Sequence, residues 1–309
     1  MKEKKRYGFK KELRTTLNRW QLYVMLIPAV IYTVVFCYKP MYGILIAFKN
    51  FSVRKGIMGS AWIGFDNFER LFNSYWFPIT LKNTLTLSLL GLVIGFPLPI
   101  ILALLLNELK SERFRKTIQT ISYAPHFIST VVMCGMVTMF LSPTNGIINK
   151  VITALGYEAV YFMQEPTWFK WIYEISGDWQ GIGWGSIIYF AALASVDKAL
   201  LDAADVDGAS RLQRIRYVNL PTIMPTVVVM FILRCGQILS IGYEKVYLLQ
   251  NDLNVVGSEV ISTYVYKVGL EQADFSFSTA AGLFNSVVNC VLLLSVNRLS
   301  KRVTDSGLF

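Results

Sequence analysis

Arg234, Gln237 and Glu244 stand out in a long apolar run because, together with Ile241, they recur at intervals of three, four and three residues, the spacing of one face of an α-helix. A polar stripe of that kind faces protein or water rather than lipid. If the apolar core of the run spans about 225 to 245, Arg234 lies near the midplane and Glu244 about 15 Å further out, at about 1.5 Å per residue. A guanidinium at that depth costs roughly 2.5 to 3.5 kcal/mol on insertion scales and is a functional candidate by default. Two kinds of partner would offset the cost: an anion on something that crosses the membrane, or a fixed protein group, either a carboxylate or a capped carbonyl. Tyr243 and Lys245 flank the outer end. In the last apolar run Asn285 and Asn289, at i and i+4, put two amides on one face, suited to lining a polar cavity or to helix–helix hydrogen bonding. Trp179 and Trp184 add aromatic faces within the mixed stretch GDWQGIGWG. This is the chemistry of binding, not of bond breaking.

No catalytic constellation accompanies these residues. There is no GxxxxGK phosphate loop, so the chain is not an ATPase by that route, and there is no GxSxG, HExxH or paired-carboxylate pattern. The single histidine, His126, sits in Pro125-His126-Phe127 without a partner at metal-ligand spacing, so a satisfied buried histidine is expected and no metal. Cys37, Cys134, Cys235 and Cys290 all fall in apolar runs and read as small hydrophobes. The net charge of +10 is broken up by long apolar stretches with no base-stacking pattern, so no nucleic-acid partner is expected.

The elements that must position these groups are membrane helices. With 309 residues, 54% of them apolar, and a mean hydropathy of +0.45, the chain holds about six spans at about 20 residues each. They are expected at about Gln21–Phe48, Ile79–Asn107, Thr117–Leu141, Ser176–Val196, Thr222–Leu249 and Phe275–Asn297. The segment from Phe51 to Trp76, with Trp62, Phe65, Phe68 and Tyr75, suits a headgroup-level aromatic belt, and Ile148, Val151, Ile152 and Leu155 form a short amphipathic stripe suited to the membrane surface. The basic lead-in, residues 1 to 20, precedes a first apolar run too long for a signal peptide. The segments placed inside hold 19 of the 30 Lys and Arg residues and the outer ones seven, so the positive-inside rule puts both termini in the cytoplasm.

Between the fourth and fifth spans, residues 197 to 221 form a polar, helix-competent loop, DKALLDAADVDGASRLQRIRYVNLP. Ala199, Ala203 and Val206 give a first short helix a face of small residues suited to close docking, with Asp197 placed to cap it and Gly208 to end it in a left-handed turn. A second short helix carries Arg211, Arg214 and Arg216 and is expected to stop at Leu220-Pro221.

Asp202-Ala203-Ala204, then Asp207-Gly208, then Leu220-Pro221, resembles the coupling loop of ABC-importer permease subunits, roughly EAAxxDGAxxxxxFxxIxLP. This chain departs from it with Asp202 for Glu, Ile215 and Tyr217 around the aromatic position, and Val218 for Ile, all of which keep charge or apolar character. SPTNGIINKVITALG, DWQGIGWGSIIYFAAL and ISTYVYKVG are similar to stretches of the LplB/YteP-like permeases for complex oligosaccharides and polysaccharides, within the maltose-type carbohydrate importers. The resemblance implies an all-α polytopic fold with six transmembrane helices, the type I (MetI-like) permease fold, over residues 21 to 309. It implies that Asp202, Ala203, Ala204, Asp207, Gly208, Leu220 and Pro221 couple to a cytoplasmic ATPase dimer, in which ATP and Mg are bound, this chain holding no cofactor. The other implied partners are a second, related permease, an extracellular sugar-binding lipoprotein and the oligosaccharide itself, in a Gram-positive cell membrane. Sugar hydroxyls need paired donors and acceptors, so Arg234, Gln237, Tyr243, Glu244, Asn285, Asn289, Trp179 and Trp184 become the expected substrate path. The competing expectation is an ion-coupled secondary carrier with Arg234 and Glu244 as a charge relay, but no internal repeat of the kind such carriers use is visible.

Overall fold

Apolar stretches too long for a soluble core dictate the architecture of the chain. The computed structural model describes residues 20–304; the basic lead-in up to Arg19 and the last five residues lie outside the described residues. In chain order the main helices are α1 (Trp20–Phe48), α2 (Trp76–Asn107), the bent pair α3 (Glu112–Phe127) and α4 (Thr130–Phe140), α5 (Ile147–Ala154), α6 (Pro166–Leu193), α7 (Lys198–Val206), α8 (Arg211–Cys235), α9 (Tyr243–Leu249), α10 (Ile261–Tyr266) and α11 (Phe275–Thr304). One antiparallel strand pair, Lys49–Asn50 with Ala61–Trp62, closes the loop after α1.

Among the described residues, four helices (α1, α2, α8 and α11) are long and apolar enough to cross a membrane, and five spans result if α3 and α4 count as one. The remaining expected span is α6, which at 28 residues is long enough. Its Glu174, Asp178 and interior glycines lower its apolarity, and that face turns toward neighbouring helices.

Four expectations about these helices are corrected. The third span is not one helix but bends by 99° between α3 and α4. Pro125 has no N–H to continue the ladder, Ser129 caps α4 by accepting from Val132 N at 3.3 Å, and Gln180 Nε2 holds the free carbonyl of Ile128 at 2.7 Å. The fourth span begins ten residues early, at Pro166, because a proline suits the first helical turn and Phe169 and Ile172 continue the buried face. Leu220-Pro221 does not stop α8: a π-turn at Ile215–Asn219 widens the helix and admits the proline ring without a break. The fifth span ends at Cys235, and α9 begins only at Tyr243. Arg234, Gln237 and Glu244 therefore do not share one helical stripe: Arg234 ends α8, Gln237 lies in the turn, and Glu244 is exposed on α9.

Asn289 of α11 holds that turn together. Its Oδ1 accepts from Leu239 N at 3.0 Å and its Nδ2 donates to Ser240 Oγ at 2.8 Å, replacing bonds the broken helix has lost. Of the two roles open to Asn289, helix-to-backbone bonding is the one observed.

Two apolar clusters pin the helices. Leu87, Met133, Phe169, Ile172, Val246 and Leu249 join α2, α4, α6 and α9, and Ile100, Ala103, Leu104, Tyr189, Leu193 and Ile223 join α2, α6 and α8. The first part of α1 contributes to neither: no residue from Trp20 to Tyr38 is buried, and only the last turns of α1 pack on α11. The four cysteines are unpaired.

Replacing Asn289 by Ala leaves the buried N–H of Leu239 without an acceptor, at a cost of about 1–3 kcal/mol. Thermal unfolding of the purified protein in mild detergent should show a lowered midpoint for Asn289→Ala. An unchanged midpoint would mean that the turn does not depend on this amide.

Candidate functional site

The polar loop between α6 and α8 is built to stand out from the helices. Asp197 Oδ1 accepts from Ala199 N at 2.9 Å and starts α7, and Gly208, at φ +70°, ends it in the left-handed region, where a Cβ is disfavoured. Ser210 and Gln213 then form a reciprocal capping box at the start of α8, with Ser210 N donating to Gln213 Oε1 at 2.7 Å. No residue of α7 is buried. Asp202, Ala203, Asp207, Gly208 and Pro221 are exposed, and Ala204 and Leu220 half-buried. Leu200, Val206, Leu212 and Tyr217 also point outward, Val206 with 88% of its surface free. Four outward apolar side chains on a charged loop mark a surface for another protein.

At its base the loop is tied to α2. Arg214 forks between Asp205 of α7 and Glu108 at the end of α2, the second contact at 2.8 Å, while Asn219 Nδ2 donates to the other oxygen of Glu108 at 3.0 Å.

A polar cavity of about 600 Å³ opens between α2, α6 and α8. A π-turn at Gly91–Gly95, followed by Pro97 and Pro99, interrupts the regular geometry of α2 where the helix passes the charged face of α6. A Cβ on Gly95 would stand 2.7 Å from the carboxylate of Glu174 and 2.8 Å from that of Asp178; one on Gly91 would stand 2.8 Å from the guanidinium of Arg234. A side chain at either position would push these charged tips aside. Lys245 of α9 reaches into the same space, its Nζ donating to Tyr173 O at 2.5 Å and lying 4.3 Å from the centre of the Tyr173 ring. Two cations and two carboxylates thus face one cavity, and none of the four forms a direct ion pair.

Arg234 and Gln237 both line this cavity, together as expected, but from the end of α8 and the turn after it rather than from one helical stripe. Sequence reasoning missed Glu174 and Asp178, which supply fixed carboxylates facing the arginine. Glu174, Asp178, Gly181 and Gly185 follow one another at steps of four, three and four, a helical stripe that points to the cavity wall once α6 is started at Pro166.

The remaining expected path residues separate. Tyr243 and Asn285 line a second cavity of about 370 Å³ between α9, α10 and α11. There Tyr243 stacks on Tyr266 at 5.0 Å, and Asn285 Oδ1 and Ser262 Oγ are buried without a hydrogen-bond partner. Both oxygens are closed off by neighbouring atoms, so each side chain would have to turn into the cavity to bond to a hydroxyl-bearing guest. Trp179 lines an apolar groove with Met136, Trp168 and Trp171 instead. Trp184 stacks face to face with His126 at 4.4 Å, and His126 is exposed at the bend of α3 rather than buried as expected. Among the described residues no group of three or more His, Cys, Asp or Glu is arranged to hold a metal.

Residues 95–305 match the model of a protein family described as the inner membrane component of binding-protein-dependent transport systems. The polygalacturonan/rhamnogalacturonan transport system permease protein YteP of Bacillus subtilis (strain 168) is 42% identical over 97% of this chain and 95% of its own length. The protein LplB of the same organism is 42% identical over 94% of this chain and 92% of its own. A solved structure of a bacterial alginate ABC transporter, in complex with a periplasmic protein carrying an alginate pentasaccharide, contains a chain that superposes with a TM-score of 0.88 at 44% identity, covering 96% of this chain and 99% of that one.

Arg234→Gln removes a cation that faces the buried Glu174 and should lower the yield of folded protein several-fold. Arg234→Gln combined with Glu174→Gln should recover much of it. Equal yields for the single variant and the unaltered chain, measured by gel filtration of detergent extracts, would show that the two charges do not depend on each other.

Proposed function

The chain belongs to the family of inner membrane components of binding-protein-dependent transport systems, and we propose that it forms half of the translocation path of an ATP-driven importer for oligosaccharides or polysaccharide fragments. The observation that carries this reading is the outward loop of residues 197 to 221, whose capped helices turn Leu200, Val206 and Leu212 away from the chain's own core. A secondary carrier has no use for such a surface. An ATPase needs it.

In this reading the loop and both termini lie in the cytoplasm, in keeping with the positive charge of those segments, and Gram-positive relatives point to a cell membrane without an outer layer. Residues 1 to 20 are a cytoplasmic lead-in and 21 to 309 the permease domain. Asp202, Ala203, Ala204, Asp207, Gly208, Leu220 and Pro221 form the coupling surface. The chain performs no hydrolysis itself, ATP and Mg belonging to the ATPase dimer. A second, related permease supplies the other half of the path, and an extracellular sugar-binding lipoprotein delivers the cargo. The unmatched oxygens of Asn285 and Ser262 receive sugar hydroxyls, with Tyr243 beside them. Arg234 and Gln237 serve the separate charged cavity between α2, α6 and α8, while Glu244 and Asn289 have no place on the sugar's route.

Purification in mild detergent followed by mass spectrometry should recover a second permease, an ATPase and a sugar-binding lipoprotein with this chain; recovery of the chain alone as an active carrier would overturn the reading. Gly208→Asp adds a Cβ where the backbone is left-handed, at about 1 kcal/mol, and a further carboxylate beside Asp205 and Asp207. It should abolish transport and substrate-stimulated ATP hydrolysis while leaving membrane insertion intact. Undiminished stimulation would count against the coupling role.

A further inference from the structure

The ion-pair network at the base of the loop connects parts of the chain far apart in sequence. Arg214 is 19% exposed and Glu108 9%, so this pair is largely shielded from water, unlike the exposed Lys116–Glu112 pair nearby. Both oxygens of Glu108 are engaged, one by Arg214 and the other by Asn219, and Arg214 uses its other nitrogen on Asp205. One carboxylate at the end of α2 thus holds two points of α8, and one guanidinium joins α7 to both. A guanidinium can fork between two carboxylates in a fixed plane; an ammonium cannot.

What Glu108 is attached to gives the network its consequence. From Asn107 the straight part of α2 runs back to Pro97, about 15 Å at about 1.5 Å per residue. Its other end is the wall of the charged cavity, where Gly95 abuts Glu174 and Asp178 and Pro99 meets Gly185. Beyond that lies the π-turn Gly91–Gly95, a local departure from helical geometry of the kind that allows bending. Leu201, Ile215, Val218 and Leu220 also pack against the apolar cluster that α2, α6 and α8 share. Such contacts are non-directional and allow one surface to slide over the other, whereas a forked ion pair fixes register.

We propose that Glu108 and Arg214 are positioning residues that pin the coupling helix to α2, so that a displacement of α7 moves the Pro97–Asn107 segment as a lever and reshapes the charged cavity at its far end. This rests on the coupling role assigned to the loop. The pin lies inside the chain and touches neither ATPase nor sugar.

The test uses the full complex reconstituted in lipid vesicles, with Gly181→Cys as a reporter, since Gly181 lines the cavity and has nothing within 4 Å of an added Cβ. A water-soluble maleimide is applied without nucleotide and after trapping with ATP and vanadate, and label on the peptide containing position 181 is quantified by mass spectrometry. With the pin intact, trapping should change the labelling rate about 10-fold. Glu108→Gln and Arg214→Lys should still assemble and hydrolyse ATP, but the change at position 181 should shrink to about twofold. Asp205→Asn, which spares the Glu108 contact, should fall between. The proposal is overturned if the two pin variants keep the full change, if position 181 never responds to trapping in a complex that hydrolyses ATP, or if both variants fail to assemble, which would make the pair a folding requirement only. A complex without any ATP hydrolysis would instead refute the importer reading itself.

Discussion

Charge and unpaired backbone in an apolar layer must be met by protein or by water, and most of this fold follows from that constraint. Arg234 at the end of α8 faces Glu174 and Asp178 across a polar cavity instead of lipid. The bend between α3 and α4 leaves the carbonyl of Ile128 free, and Gln180 binds it. The turn after Cys235 leaves the N–H of Leu239 free, and Asn289 binds it. Both of these breaks are matched by a polar side chain from a helix elsewhere in the chain. The breaks can therefore persist inside a membrane, where they would otherwise be too costly.

The same breaks explain which features were legible in the sequence. Apolar runs long enough to span located most of the helices, and the Asp197 cap and the Gly208 turn followed from residue types with local preferences. Local rules failed wherever a distant side chain decides the outcome. Nothing within residues 222 to 249 announces that Asn289, some fifty positions on, will stabilise a turn there, although Gly236, Ser240 and Gly242 lower the helical propensity of the stretch. Because that turn was missed, Arg234, Gln237 and Glu244 were assigned to one stripe. Glu174 was overlooked because the span was begun at Ser176, with the mixed GDWQGIGWG stretch, two residues beyond it. His126 was expected in the interior on composition alone, whereas the bend beside it exposes the ring to stack on Trp184.

The two ends of the chain's function are joined by rigid elements. The outward loop is held by short capped helices; α2 and α6 are packed together along their lower halves by Ile100, Ala103, Leu104, Tyr189 and Leu193. Beyond that cluster the same helices meet at glycines and charged side chains around the cavity, and further on at Leu87, Phe169 and Ile172. A close-packed interface transmits displacement, while the open, charged cavity beside it can change volume. The exposed outer face of α1 belongs to the same logic: a helix with no buried residue over Trp20 to Tyr38 leaves its apolar side chains to lipid or to another subunit.

The central claim is that this chain carries saccharides across a membrane on energy delivered through the 197–221 loop. The most direct measurement is uptake by sealed vesicles holding this chain, its second permease and the ATPase, with the binding lipoprotein outside and radiolabelled oligosaccharides cut from polygalacturonan or alginate as cargo. The account predicts accumulation that requires ATP on the ATPase side, stops when either the ATPase or the lipoprotein is omitted, and is indifferent to collapse of ion gradients. Accumulation that follows an imposed proton or sodium gradient without ATP would contradict it.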